Sequence, residues 1–151
     1  MGDTMHEAIQ IPVVSSELQD RRALVDILNR EDWDTICACA VKECQETLAN
    51  RNVTLVFCDR RLPDGTYGDV LKIIRSLNKS IPLVVTSRLA DWDEYFEVLQ
   101  HGAFDLIASP TQPTDAIWIT LRAQHNIPTP LDQNTESLKN RAHAALANNR
   151  R

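Results

Sequence analysis

The chain has 151 residues, 43% of them hydrophobic and 25% charged, which suits one compact domain with a short extension. A formal net charge of −5 argues against nucleic acid as the main partner, and no apolar run approaches the roughly 18 to 20 residues that span a bilayer. Met1 to Glu7 carry neither a basic region nor an apolar core, so no secretory signal is expected and the composition reads as that of a cytoplasmic protein.

Short β runs alternate with helical ones. Residues 8–14 are apolar enough for a first strand despite Pro12, and Ser16 is a candidate N-cap for a helix to about Asn29, with Leu24, Ile27 and Leu28 on one face. Residues 35–40 read as an edge strand and 41–50 as a short helix. Residues 53–58, VTLVFC, form the clearest buried strand. After the Pro63-Asp64-Gly65 turn, Val70, Ile73, Ile74 and Leu77 recur at the i, i+3, i+4, i+7 spacing of an amphipathic helix. Residues 82–86 are the fourth strand. Asp91 and Glu94 make a capping-box-like start to a helix carrying Trp92, Phe96 and Leu99, and Gly102 stands where a left-handed cap is wanted. Residues 105–108 and 113–125 complete a fifth strand and helix.

Five β-then-α units imply a parallel sheet covered on both faces by helices. Right-handed crossovers leave few topologies, and the economical one is a flavodoxin-like doubly wound α/β fold with strand order 2-1-3-4-5 over residues 8–125. Residues 126–151 form a polar tail or linker. The tail carries Asp132 and Glu136 against Lys139, Arg141, Arg150 and Arg151, a net +2 that leaves −7 for the remainder. The cysteines Cys37, Cys39, Cys44 and Cys58 form no C-x-x-C pair and have no histidine at ligand spacing, so they read as small buried hydrophobes.

In such a sheet the loops after the strands meet at one edge. Ser15, Ser16 and Glu17 follow the first strand and Asp59 the third, while Thr86 with Ser87 and Ser109 with Pro110 end the fourth and fifth. Arg60 and Arg61 follow Asp59; either could swing over its carboxylate, although a solvated loop arginine is the plainer reading.

The order and spacing of these pieces resemble the receiver family of two-component response regulators. Val13-Val14-Ser15-Ser16-Glu17 stands at the first strand end, and Leu55-Val56-Phe57-Cys58-Asp59 leads into Leu62-Pro63-Asp64-Gly65. Pro82-Leu83-Val84-Val85-Thr86-Ser87 and Gly102-Ala103-Phe104-Asp105-Leu106-Ile107-Ala108-Ser109-Pro110 complete the pattern. The resemblance implies a phosphorelay module rather than an enzyme. Asp59 becomes the candidate phosphoacceptor, Thr86 the switch hydroxyl, and a histidine kinase and a downstream effector the partners.

The resemblance also implies a Mg²⁺ site built from an acidic pair and the phosphoacceptor. The acidic positions are Ser15 and Ser16 here, the lysine position is Ser109 and the aromatic position is Leu106. Hydroxyls are neutral, weak magnesium ligands, so the site falls to Asp59, with Glu17 one residue late for a second ligand. Losing metal and fixed cation removes the charge stabilisation that attack by a carboxylate on an anionic phosphorus centre needs. The expectation is therefore a protein-interaction module with an impaired site and phosphorylation-independent output. Two alternatives stay open: a fully phosphorylatable receiver whose metal site recruits Glu17, and a flavodoxin-like ligand-binding or enzymatic domain using Ser15, Ser16, Asp59, Thr86 and Ser109. No Gly-rich phosphate loop, nucleophile elbow or catalytic histidine supports the last.

The family often signals through its fourth helix, fifth strand and fifth helix. A helical wheel of the fifth helix places Ile117, Thr120 and Leu121 inward and Ile119 outward, with Trp118 beside the core face. Trp92, Trp118 and Ile119 would then suit a homodimer or an effector contact.

Overall fold

A computed structural model of the chain describes residues 9–125. The predicted polar tail lies outside these residues. Five parallel strands carry the sheet: β1 (Ile9–Val14), β2 (Thr35–Ala38), β4 (Val56–Asp59), β7 (Leu83–Ser87) and β8 (Asp105–Ala108), in the order β2-β1-β4-β7-β8. Counting these strands alone, this is the predicted 2-1-3-4-5 arrangement. Three shorter pieces complete the chain order: β3 (Asn52–Val53), which pairs with β1, and β5 (Arg61–Leu62) with β6 (Gly65–Thr66), which form an antiparallel ribbon. The helices are α1 (Leu18–Arg30), α2 (Val41–Asn50), α3 (Tyr67–Ser76), α4 (Trp92–Gln100) and α5 (Pro113–Gln124).

Period-2 alternation along the strands sorts the core into two layers. Ile11, Val13, Leu55, Phe57 and Val84 face α1 and α5, where they meet Leu24, Leu28 and Ala116. Val14, Val56, Cys58, Leu83 and Val85 face the other way, toward Cys44 and Leu48 of α2, Val70 and Ile74 of α3, and Val98 of α4. Both faces of the sheet are thereby covered.

The predicted strand over 53–58 is broken at Thr54 and Leu55. β1 pairs Gln10 with Val53 but Val13 with Phe57, so one extra residue is accommodated between β3 and β4. Pro12 explains the site of the slip. The amides of Ile11 and Ser15 donate toward β2, to Asp34 O and Ala38 O. By alternation the missing amide of Pro12 faces the β3–β4 side, where no ladder bond can form.

Helix starts show how local chemistry fixes the loops. Asp91 caps α4 by accepting from Glu94 N at 2.9 Å, and Thr66 and Asp69 form a reciprocal capping box on α3. Gly65 lies so near the Asp69 carboxylate and Val41 that a Cβ there would collide. Gly102 has φ +106°, the left-handed conformation expected past the end of α4. Ser16, the predicted cap of α1, is exposed and does not cap; the N-cap is Glu17. The reason is that Ser15 takes the amide of Glu17 on its own Oγ at 3.1 Å, which delays the helix by a residue.

Two predicted burial patterns are corrected. Cys44 and Cys58 are buried, but Cys37 and Cys39 are exposed along the edge strand and the turn after it. On α5 the buried stripe is Ala116, Ile119, Thr120 and Ala123. Ile119, expected on the outer face, is 2% exposed, whereas Trp118 is 64% exposed and Leu121 37%. Thr120 is fully buried and Ile117 packs partly buried against the same core, as expected.

Candidate functional site

Asp59 and Thr86 are in-register partners on β4 and β7, so their side chains leave the sheet side by side at its C-terminal edge. Thr86 Oγ1 donates to Asp59 Oδ1 at 2.6 Å, and Ser15 Oγ donates to Asp59 Oδ2 at 2.7 Å from the end of β1. Each carboxylate oxygen therefore holds one short hydroxyl bond. Ser15 Oγ in turn accepts the Glu17 amide, and Arg21 Nη1 donates to Ser15 O at 2.7 Å, which fixes the turn that presents it. Ser109 lines the same cleft, its amide donating to Ser87 O at 2.9 Å. The cleft, about 270 Å³, is also bordered by Glu17, Asp20 and Arg88.

Burial pushes the Asp59 carboxyl above its ordinary range, the Thr86 and Ser15 hydroxyls pull it back, and the charges of Asp20 and Glu17 add to the rise. Asp20 was not singled out from the sequence. It belongs to α1, and nothing in sequence connects it with Arg88, whose Nη2 lies 2.7 Å from its Oδ2. Arg88 is largely exposed, so this pair offsets the Asp20 charge only in part, and Asp59 still feels it.

Of the two arginines next to Asp59, Arg61 is exposed, as the plainer reading has it, and Arg60 follows neither reading. Arg60 turns away from the carboxylate to Glu94 Oε2 at 2.8 Å and Glu97 Oε2 at 3.0 Å on α4. Glu94 is 4% exposed, and its Oε1 accepts from Ala90 N at 3.0 Å. The loop that carries Asp59 is thereby tied to the start of α4. The following loop is tied to α2, because Asp64 accepts the amides of Val41 and Lys42 at 2.7 and 3.1 Å. These backbone bonds, Val41 first, hold the Asp64 carboxyl below its ordinary range.

Mg²⁺ takes hard oxygen ligands, usually one or two carboxylates with several waters. Ser15 offers a neutral oxygen already engaged as donor and acceptor, Ser16 is exposed, and Asp20 is paired with Arg88. No group of three or more histidine, cysteine, aspartate or glutamate side chains among the described residues is placed to hold a metal. Beside Asp59 the cleft carries the carboxylates of Glu17 and Asp20.

The sequence profile of the response regulator receiver domain matches residues 11–118. The chain belongs to the response regulator receiver domain family.

Relatives of this receiver include the response regulator protein PilR of Pseudomonas aeruginosa, 33% identical over 98 residues, 65% of this chain and 22% of that protein. The regulatory protein LuxO of Vibrio cholerae is 29% identical over 80 residues, 53% of this chain and 17% of that protein. The receiver thus spans about a fifth of these relatives' length. Among solved structures, the receiver domain of NtrX from Brucella abortus superposes with TM-score 0.69 at 26% identity, over 76% of this chain and 98% of that one. The beryllofluoride-activated NtrC4 receiver domain dimer gives 0.72 at 17%, covering 78% and 98%, a likeness of fold alone. Receiver domains are signalling modules of two-component systems, and no helix among the described residues of this one is long and apolar enough to cross a membrane.

The predicted partner-surface residues Trp92, Trp118 and Ile119 border one groove. Trp92 and Trp118 flank this groove of about 500 Å³ between α4 and α5, floored by Leu106 and Ile107 of β8. Ile119 also lines it, at its buried base, with 2% exposure.

Proposed function

We propose that this receiver works as a protein-interaction module whose output does not depend on phosphorylation of Asp59. The observation that carries the reading is the pair of short hydroxyl bonds on Asp59, from Ser15 at 2.7 Å and Thr86 at 2.6 Å, with Ser15 and Ser16 where an acidic pair would have to stand. Thr86, the hydroxyl that would respond to a phosphoryl group, is already drawn to the carboxylate itself. Attack by Asp59 on a phosphoryl donor would build up negative charge beside Asp20 and Glu17. Arg60, the nearest cation in sequence, is committed to α4, and Ser109 supplies no charge. Kinase contact, if retained, would then serve docking, and the effector would read one standing arrangement of α4.

Rebuilding the site tests this. The full chain is incubated with magnesium and a small phosphodonor and read by intact mass. Unmodified protein should gain no phosphoryl group, whereas Ser15→Asp, Ser16→Asp and Ser109→Lys together should confer a gain that Asp59→Asn removes. Labelling of the unaltered chain that disappears in Asp59→Asn would overturn the proposal and favour a metal site completed by Glu17.

A further inference from the structure

Resting on the interaction-module reading, we infer that a groove at the N-terminal edge of the sheet, between the end of α3 and the turn after α4, receives an acidic segment of a protein partner. The partner's apolar side chains enter the groove while its glutamates or aspartates meet Arg75 and Lys79. The groove encloses about 390 Å³ beside the start of β7, at the edge of the sheet opposite to Asp59. It shares no lining residue with the groove beside Trp92 and Trp118. Leu71, Ile74, Ile81 and Phe104 give it an apolar lining, to which Arg75 and Lys79 add two exposed cations. Both cations are held in place. Arg75 Nη2 donates to His101 O at 2.7 Å, and Lys79 Nζ donates to Leu48 O at 2.6 Å. Gly102 admits the first contact, because a Cβ there would stand 2.8 Å from Arg75 Nη2. Cations positioned in advance lose less freedom when a ligand arrives.

The charges select the occupant. Among the described residues the ion pairs engage Arg60, Arg88 and Arg122, and none reaches Arg75 or Lys79. Lys72, one turn before Arg75 on α3, is exposed and has no such partner either. The same holds for Arg51, at the end of α2 that Lys79 touches. No acid occurs in sequence between Asp69 and Asp91, and Asp69 is engaged in the capping box at the other end of α3. In a chain of net charge −5, these bases form a surface of the opposite sign. A carboxylate arriving there meets free N–H donors and displaces no acid already in place. The apolar lining favours a peptide over nucleic acid, whose phosphates would leave it uncovered. Exposed cations suit a chain segment better than a small molecule enclosed on most sides. A two-fold contact with a second copy of this chain would set the same bases against one another.

The test uses the full chain with a synthetic glutamate/leucine peptide, its lysine/leucine and glutamate/serine counterparts and a short DNA duplex, followed by backbone amide resonances. The glutamate/leucine peptide should bind saturably, shift resonances at the end of α3, at 79–82 and at 102–104, and weaken as salt rises. The lysine/leucine peptide should not bind, and the glutamate/serine peptide should bind more weakly. Affinity should fall about tenfold in Arg75→Gln with Lys79→Gln, since glutamine removes each charge but retains an N–H donor. Absence of saturable binding, equal binding of the glutamate and lysine peptides, or shifts outside the groove would overturn the inference. So would unchanged affinity in the folded double variant, which would leave Arg75 and Lys79 as helix-end caps only. If the double variant does not fold, the peptide series decides by itself. Tighter binding of the duplex at the same resonances would make nucleic acid the occupant and also overturn it. Phosphoryl labelling at Asp59 would sink the phosphorylation-independent reading and leave these outcomes unaffected, so the two failures are distinguishable.

Discussion

Asp59 keeps its charge at the cost of desolvation, and two hydroxyls offset only part of that cost. A carboxyl whose pKa is raised on folding binds its proton more tightly in the folded state. Folding stability therefore increases as pH falls through the raised value, and the gain is complete below the unfolded value of about 3.9. Asp59→Asn removes the charge, keeps an acceptor for one of the two hydroxyls and offers the other an amide donor it can accept, and should raise the unfolding free energy at neutral pH by about 1 kcal/mol. The advantage should shrink on acidification when urea midpoints of the two proteins are compared. An advantage that widens toward acid would contradict the sign argued here. The thiols give a second residue-scale prediction. Burial pushes the Cys44 thiol up to about 12 and Cys58 well above its ordinary range, while Cys37 and Cys39 are exposed. An aromatic disulfide reagent should label Cys37 and Cys39 in the folded protein, and Cys44 and Cys58 only after denaturation.

Helix α4 is joined to the Asp59 loop by ion pairs. Arg60 joins the Asp59 loop to buried Glu94, and removing the guanidinium would leave that carboxylate without its cation. Arg60→Ala should destabilise the fold by about 1–3 kcal/mol, below the range for fully buried pairs because Arg60 is partly exposed. Adding Glu94→Gln should recover most of the loss, since an amide can still accept the Ala90 amide. Urea unfolding of the single and double variants checks both values, and a neutral Arg60→Ala would show that no clamp exists. This contact was not legible in sequence, because a salt bridge between residues 60 and 94 is a product of topology. What was legible followed from periodicity and local caps: α2 and β8 fall on the expected residues, and Asp91 caps α4 as its spacing with Glu94 suggested. The reading failed where tertiary contacts decide. The wheel of α5 placed Thr120 and, in part, Ile117 inward as found, but reversed Ile119, which is buried, and Leu121, which is exposed. The strand over 53–58 broke because the absent amide of Pro12 acts on a strand distant in sequence.

At the scale of the whole molecule, the receiver fold brings four strand ends together and so sets Ser15, Asp59, Thr86 and Ser109 around one cleft, as the alternating β and α pattern implied. Sequence also showed which residue types stand at those ends. It could not show that Ser15 and Thr86 would each bond a different oxygen of Asp59, nor that Arg88 would pair with Asp20, since both depend on side-chain direction across the edge of the sheet. The central claim is that this edge holds its aspartate without a metal and without a phosphoryl group. The most direct measurement follows the amide resonances of the full chain during titration with magnesium, then with magnesium and beryllofluoride. The account predicts no saturable shifts at Asp59, Thr86 or Ser109 and no movement of α4. Saturable shifts centred on Asp59, abolished in Asp59→Asn, would contradict it.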